Sequence, residues 1–66
     1  MYKTGDRVEL TADIVSHSIT FAKGNRGTVI TDYEDGDVSV EWDDPTKLVL
    51  SYIFVVKKDV IKHVKG

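Results

Sequence analysis

Apolar and polar positions alternate with a period of two along much of this chain. The pattern is clearest in Asp37–Asp43, where Val38, Val40 and Trp42 fall on one side and Asp37, Ser39, Glu41 and Asp43 on the other. A period of two marks a strand with one buried face, because successive side chains of an extended backbone point in opposite directions. Asp6–Leu10 repeats the pattern, with Val8 and Leu10 opposed to Arg7 and Glu9. Arg26–Asp32 predicts another strand. Its Thr28, Val29, Ile30 and Thr31 are all β-branched, which disfavours helix, and Gly27 within it predicts a bulge or a close backbone approach. Asp35-Gly36 predicts the hairpin turn joining these last two strands.

The longest connection, Thr11–Asn25, is too apolar for a simple polar loop, since it carries Ile14, Val15, Ile19 and Phe21. It reads as an irregular hairpin-like loop folded over one open end of the structure, with one short helical turn near Ala12–Ser16. Lys23-Gly24-Asn25 reads as the tight turn that closes it. Asp43-Asp44-Pro45-Thr46 ends the third strand, as proline cannot continue a central ladder.

Leu48–Val55 predicts a fourth strand that departs from the pattern. Leu48, Leu50, Tyr52 and Phe54 form one face, and Val49, Ser51, Ile53 and Val55 form the other. Both faces are apolar, so the outer one needs a cover. The Thr11–Asn25 loop is the first expectation, and a homodimer or partner chain seated on Leu48–Val55 is the second. Lys57-Lys58-Asp59 leaves room for one 3₁₀ turn before a short last strand, Val60–Val64. Five short strands, one long early loop and no full helix predict an all-β, five-stranded small barrel, a single domain over residues 1–66.

Composition narrows the function classes. The chain has 66 residues, no cysteine and a formal net charge of −2. A domain of this size has a small core, so a site is expected on its surface rather than in a deep cleft. Without cysteine there is no disulfide, zinc–thiolate site or thiol nucleophile, which fits a reducing, cytoplasmic setting. Met1–Arg7 lacks a signal-peptide core, and the apolar run Leu48–Val56 is too short to span a bilayer. The charge is uneven: Asp32–Asp44 holds seven acids and no base, whereas Lys57–Lys65 holds four lysines and one acid.

No catalytic or metal constellation emerges. With Gly36 at the sixth position of a calcium-binding loop, Thr31, Tyr33 and Asp35 fall at the first, third and fifth, and Trp42 replaces the terminal glutamate, so the match fails. The serines lack a nucleophile-elbow context. Gly24-Asn25-Arg26-Gly27 is no phosphate loop, since it lacks the lysine and precedes a strand. His17 and His63 have no partner in sequence. No cofactor is expected, and the chain is read as not an enzyme.

Gly5-Asp6-Arg7-Val8, Gly27-Thr28-Val29 and Val38-x-Val40-x-Trp42-Asp43-Asp44, followed by an apolar strand ending in Asp59-Val60-Ile61, resemble the landmarks of SH3-like small barrels. Within that group the chain is similar to small bacterial and phage domains, and more distantly to KOW-type barrels and the small barrel of photosystem I subunit IV. The resemblance spans nearly the whole chain and implies a non-catalytic binding module, of phage or mobile-element origin. It does not extend to the Ala-Leu-Tyr-Asp-Tyr motif of polyproline-binding SH3 domains, nor to the basic charge of RNA-binding KOW barrels.

Two surfaces follow. The first binds a protein partner through Tyr33, Trp42, Tyr52 and Phe54 with the acids Glu34, Asp35, Glu41, Asp43 and Asp44; aromatics supply contact area and acids steer a basic partner. Trp42 has a second reading as a core residue, supported by its alternation with Val38 and Val40. The alternative surface binds nucleic acid through Lys57, Lys58, Lys62 and Lys65.

Overall fold

The computed structural model describes residues 1–16, 18–46 and 51–64. It is all-β: β1 (Arg7–Leu10), β2 (Ile14–Ser16), β3 (Ile19–Phe21), β4 (Arg26–Asp32), β5 (Asp37–Asp43), β6 (Ser51–Lys57), a 3₁₀ turn (Lys58–Val60) and β7 (Ile61–His63). β1 and β4–β7 form one antiparallel five-stranded sheet in the order β6-β5-β4-β1-β7, and β2 and β3 form a separate hairpin. No ladder among the described residues joins β6 to β7, so the sheet has two edges where the sequence predicts a closed barrel.

β1, β4 and β5 fall where the alternation places them, and β6 runs two residues past the expected end at Val55, to Lys57. The 3₁₀ turn spans Lys58–Val60, and the last strand begins one residue later than expected. Two local expectations are corrected. The Thr11–Asn25 connection holds no helical turn near Ala12–Ser16; Ile14–Ser16 is a strand, as β-branched Ile14 and Val15 favour. Gly27 marks a close approach rather than the bulge. The register shift falls instead between Val29 and Thr31, around Ile30.

The inner face carries the core: Val8, Leu10, Phe21, Val29, Val38, Val40, Trp42, Val56 and Ile61 are buried. Val8 and Leu10 come from β1, Val38, Val40 and Trp42 from β5, each set at the spacing of two read from the sequence. The β2–β3 hairpin contributes Phe21, and Ile14 and Ile19 pack against the same core. Its base is fixed to β1 by the Leu10 N–H bonding the Asn25 carbonyl and the Gly24 N–H bonding the Leu10 carbonyl, both at 2.9 Å. The Lys23 N–H adds a 2.7 Å bond to Asp13 Oδ1.

The hairpin therefore covers the inner face of β6, where Phe21 meets the rings of Tyr52 and Phe54 edge-on at 5.6 and 5.0 Å. It does not cover the outer face, as the first expectation had it: Ile53 is 57% exposed and Val55 50%. The physical reason is the pleat. Phe21 reaches only the side chains that point inward, and Ile53 and Val55 point away from it. Leu48, Val49 and Leu50, the first three residues of the predicted fourth strand, lie outside the described residues.

Candidate functional site

The acidic stretch folds into the β4–β5 hairpin and the outer face of β5. At the tip, Asp32 Oδ1 accepts the Glu34 N–H at 2.8 Å and Asp35 Oδ1 accepts the Asp37 N–H at 3.1 Å. Within this turn Glu34 and Gly36 take positive φ of 61° and 101°, which Gly36 adopts without a Cβ clash. Tyr33 is 52% exposed beside them. Its N–H closes the turn on the Asp37 carbonyl at 3.1 Å.

Several acids are already engaged within the chain. Asp43 receives Arg7 in a two-pronged contact at 2.9 and 3.4 Å, and the same guanidinium donates to Thr28 Oγ1 at 3.0 Å. The hydrogen bond to Asp43 raises the Arg7 pKa, against a smaller opposing effect of burial. Asp37 pairs with Lys57 at 2.7 Å, and Asp44 Oδ1 accepts the Thr46 N–H and hydroxyl at 2.8 and 2.6 Å, shaping the turn at Pro45.

Asp32 sits at the centre of a larger network. Its side chain is 4% exposed, Oδ2 accepts the Tyr2 N–H at 2.9 Å, and Oδ1 pairs with Lys58 at 3.1 Å. The Tyr2 and Glu34 amides, with Lys58, hold its pKa at about 2 against an opposing effect of burial. These contacts strap the N-terminal segment across the sheet. Nearby, Asp6 bonds His63 at 3.1 Å, and the His63 ring lies 4.4 Å from that of Tyr2.

Among the described residues, Glu34, Asp35 and Glu41 are in no ion pair. Glu41 is exposed on the outer face, between Thr28 of β4 and Ile53 of β6.

The aromatic half of the expected protein-binding surface lies elsewhere. Trp42 has no exposed surface, so its ring does not present itself to a partner. It stacks on Phe54 at 5.7 Å, and its Nε1 is buried without a hydrogen-bond partner. Tyr52 and Phe54 are half-buried in the same inner layer. Trp42, Tyr52 and Phe54 thus group with Phe21, whereas Glu41 and Asp43 lie on the opposite face of β5. Of the aromatics expected at the site, Tyr33 alone lies exposed beside the acids.

The lysine surface is also divided. Lys57 and Lys58 are tied to Asp37 and Asp32, Lys62 lies 3.9 Å from Glu9, and Lys65 lies outside the described residues. The Asp37 contact raises the Lys57 pKa. Sequence reasoning missed Arg26, which registers beside Glu9 while Lys62 flanks Glu9 from β7. With His63 and Val64 these residues line an open groove of about 420 Å³. The signal was the strand register, in which β4, β1 and β7 present one charged residue each along a row. No group of three or more metal-ligating side chains occurs among the described residues, and none of their helices is long and apolar enough to cross a membrane.

No protein-family model, curated protein or solved structure matches this chain.

Proposed function

We propose that the chain is a non-catalytic protein-interaction module whose β4–β5 tip and outer β5 face, Tyr33, Glu34, Asp35 and Glu41, receive a basic segment of a partner protein. One observation carries this reading: three carboxylates on one hairpin are in no ion pair among the described residues, while their neighbours Asp32, Asp37 and Asp43 each hold a cation. Unneutralised acids beside an exposed tyrosine steer Lys- or Arg-bearing partners and offer charge-assisted hydrogen bonds with a cation–π contact. The SH3-like small barrel belongs to the same proposal. It is supported by the five-stranded antiparallel sheet, the long first connection and the pairing of β1 with both β4 and β7.

The experiment is a titration of labelled Lys/Arg-rich peptides against the chain and against Glu34→Lys/Glu41→Lys. Binding that weakens at least tenfold in the variant, and weakens with added salt, supports the reading. Equal binding by both proteins, or none by the unaltered chain, overturns it.

A further inference from the structure

Among the described residues β6 is the terminal strand of the sheet, and its backbone bonding can be counted outward from one contact. The Lys58 N–H donates to the Gly36 carbonyl at 2.9 Å. The β5–β6 register is unbroken from Asp37/Lys57 to Asp43/Ser51. In an antiparallel pair, hydrogen-bonded and non-bonded residue pairs alternate. Gly36/Lys58 is a bonded pair, so Val38/Val56, Val40/Phe54 and Trp42/Tyr52 are bonded too. The N–H and C=O groups of Ser51, Ile53, Val55 and Lys57 then point to the outer edge of the sheet. Ile53 and Val55 also leave more than half and half of their surface exposed, 57% and 50%. Backbone groups and apolar side chains of the same two residues therefore share one edge. The protections usual for such an edge, proline, a bulge or an inward charge, are absent from β6; Lys57 at its end is the one charged residue in it.

We propose that this edge pairs with the β6 edge of a second copy of the chain, antiparallel and with the two-fold axis at Phe54. The register is self-complementary. Ile53 of each copy faces Val55 of the other, and Ser51 faces Lys57, so the four outward-facing residues of each strand all enter bonded pairs. The outer face gains an apolar quartet, and Lys57 of the second copy arrives beside Ser51, with Asp43 on the adjoining strand. Shifting the axis by one residue to Val55 sets Ile53 against Lys57 instead and loses the match.

Backbone bonding favours this edge-to-edge arrangement over stacking of the outer faces, because stacking leaves the outward N–H and C=O groups of Ser51, Ile53, Val55 and Lys57 without a strand partner. Edge pairing also leaves three strand spacings between the two β5 strands that carry Glu41, about 14 Å, beyond the screening length of about 8 Å at physiological salt. The edge adjoins the proposed acidic surface only at Glu41, which registers beside Ile53, and either assignment stands if the other fails.

The test combines mass and amide exchange on the intact 66-residue chain. Sedimentation velocity from micromolar to millimolar chain is expected to show the average mass rising toward twice that of one chain. Over the same range the Ile53 and Val55 amides are expected to gain protection from hydrogen exchange, while the Tyr52, Phe54 and Val56 amides, already bonded to β5, change little. Val55→Lys, checked for folding by circular dichroism, is expected to remain at the single-chain mass, with Val15→Lys, on the hairpin, as the control that still doubles. A single-chain mass for the unaltered protein at millimolar concentration overturns the proposal. So does doubling without protection at Ile53 and Val55, or protection there only on adding a basic strand-forming peptide.

Discussion

Gly27 lies directly beneath Trp42. A Cβ built on Gly27 would come within 2.8 Å of the Trp42 ring carbon Cε3, 2.7 Å of Val40 Cγ1 and 2.8 Å of the Glu41 carbonyl oxygen. The three neighbours are two core side chains and a backbone atom in the β4–β5 ladder, so none can swing aside. Gly27→Ala is therefore expected to destabilise the fold by about 1–3 kcal/mol through overpacking, read as a lower midpoint of urea unfolding. An unchanged midpoint would mean that the ring and strand shift at no cost.

Trp42 is the largest fully buried side chain, and its indole N–H has no hydrogen-bond partner. Trp42→Ala is expected to cost about 3–5 kcal/mol, a large share of the stability of so small a domain. It should thus abolish folding rather than act selectively on partner capture. Trp42→Phe keeps much of the packing on Phe54 and removes a buried donor whose desolvation is uncompensated, a cost of about 1–3 kcal/mol, so it should destabilise far less. Fluorescence supplies an independent check: the native emission should be blue-shifted and resistant to iodide, and should move to the red on unfolding.

The opposition of Trp42 to Glu41 and Asp43 is legible in the amino-acid sequence alone, since odd and even positions of one strand cannot share a face. A surface combining them contradicts the alternation that identifies the strand. The same rule correctly sets Val8, Leu10, Val38 and Val40 inside. What local pattern cannot supply is pairing at a distance. The choice between the two apolar faces of β6 depends on where Phe21 lands, and Phe21 is brought there by a hairpin whose anchor bonds at Leu10, Gly24 and Asn25 involve backbone groups. The engagement of Lys58 by Asp32 and of Arg7 by Asp43 likewise joins residues far apart in sequence.

Asp32 makes the fold acid-sensitive in a definite window. Its pKa lies at about 2 instead of the ordinary 3.8, chiefly because the Tyr2 and Glu34 amides bond the ionised form. A depressed folded-state pKa contributes stability that is present above the unfolded value and lost as pH falls toward the folded one. The Asp6 pKa is lowered as well, first by the Lys3 amide and then by His63, so the two act in the same direction. Melting temperature should fall as pH is lowered from about 5 to about 2, and Asp32→Asn should flatten part of that fall. The first signals to broaden should be the amides of Tyr2 and Glu34. An equally steep profile in Asp32→Asn would assign the acid response elsewhere.

Lys57 and Asp37 form an exposed contact, with side chains 70% and 32% accessible. Such a pair contributes about 0–1 kcal/mol, so Asp37→Asn should fold normally. The substitution releases a cation that the fold otherwise neutralises, which permits a test of the nucleic-acid reading. Each phosphate neutralised on a single strand steepens the dependence of log affinity on log salt by about 0.7. Titration of a single-stranded oligonucleotide at low salt should therefore give weak binding with a shallow slope for the unaltered chain. Asp37→Asn should bind more tightly, with a slope steeper by about that amount. A steep slope in the unaltered chain would show that phosphate competes successfully with Asp37 and Asp32 for their lysines. The C-terminal cations would then form a nucleic-acid surface despite their intramolecular partners.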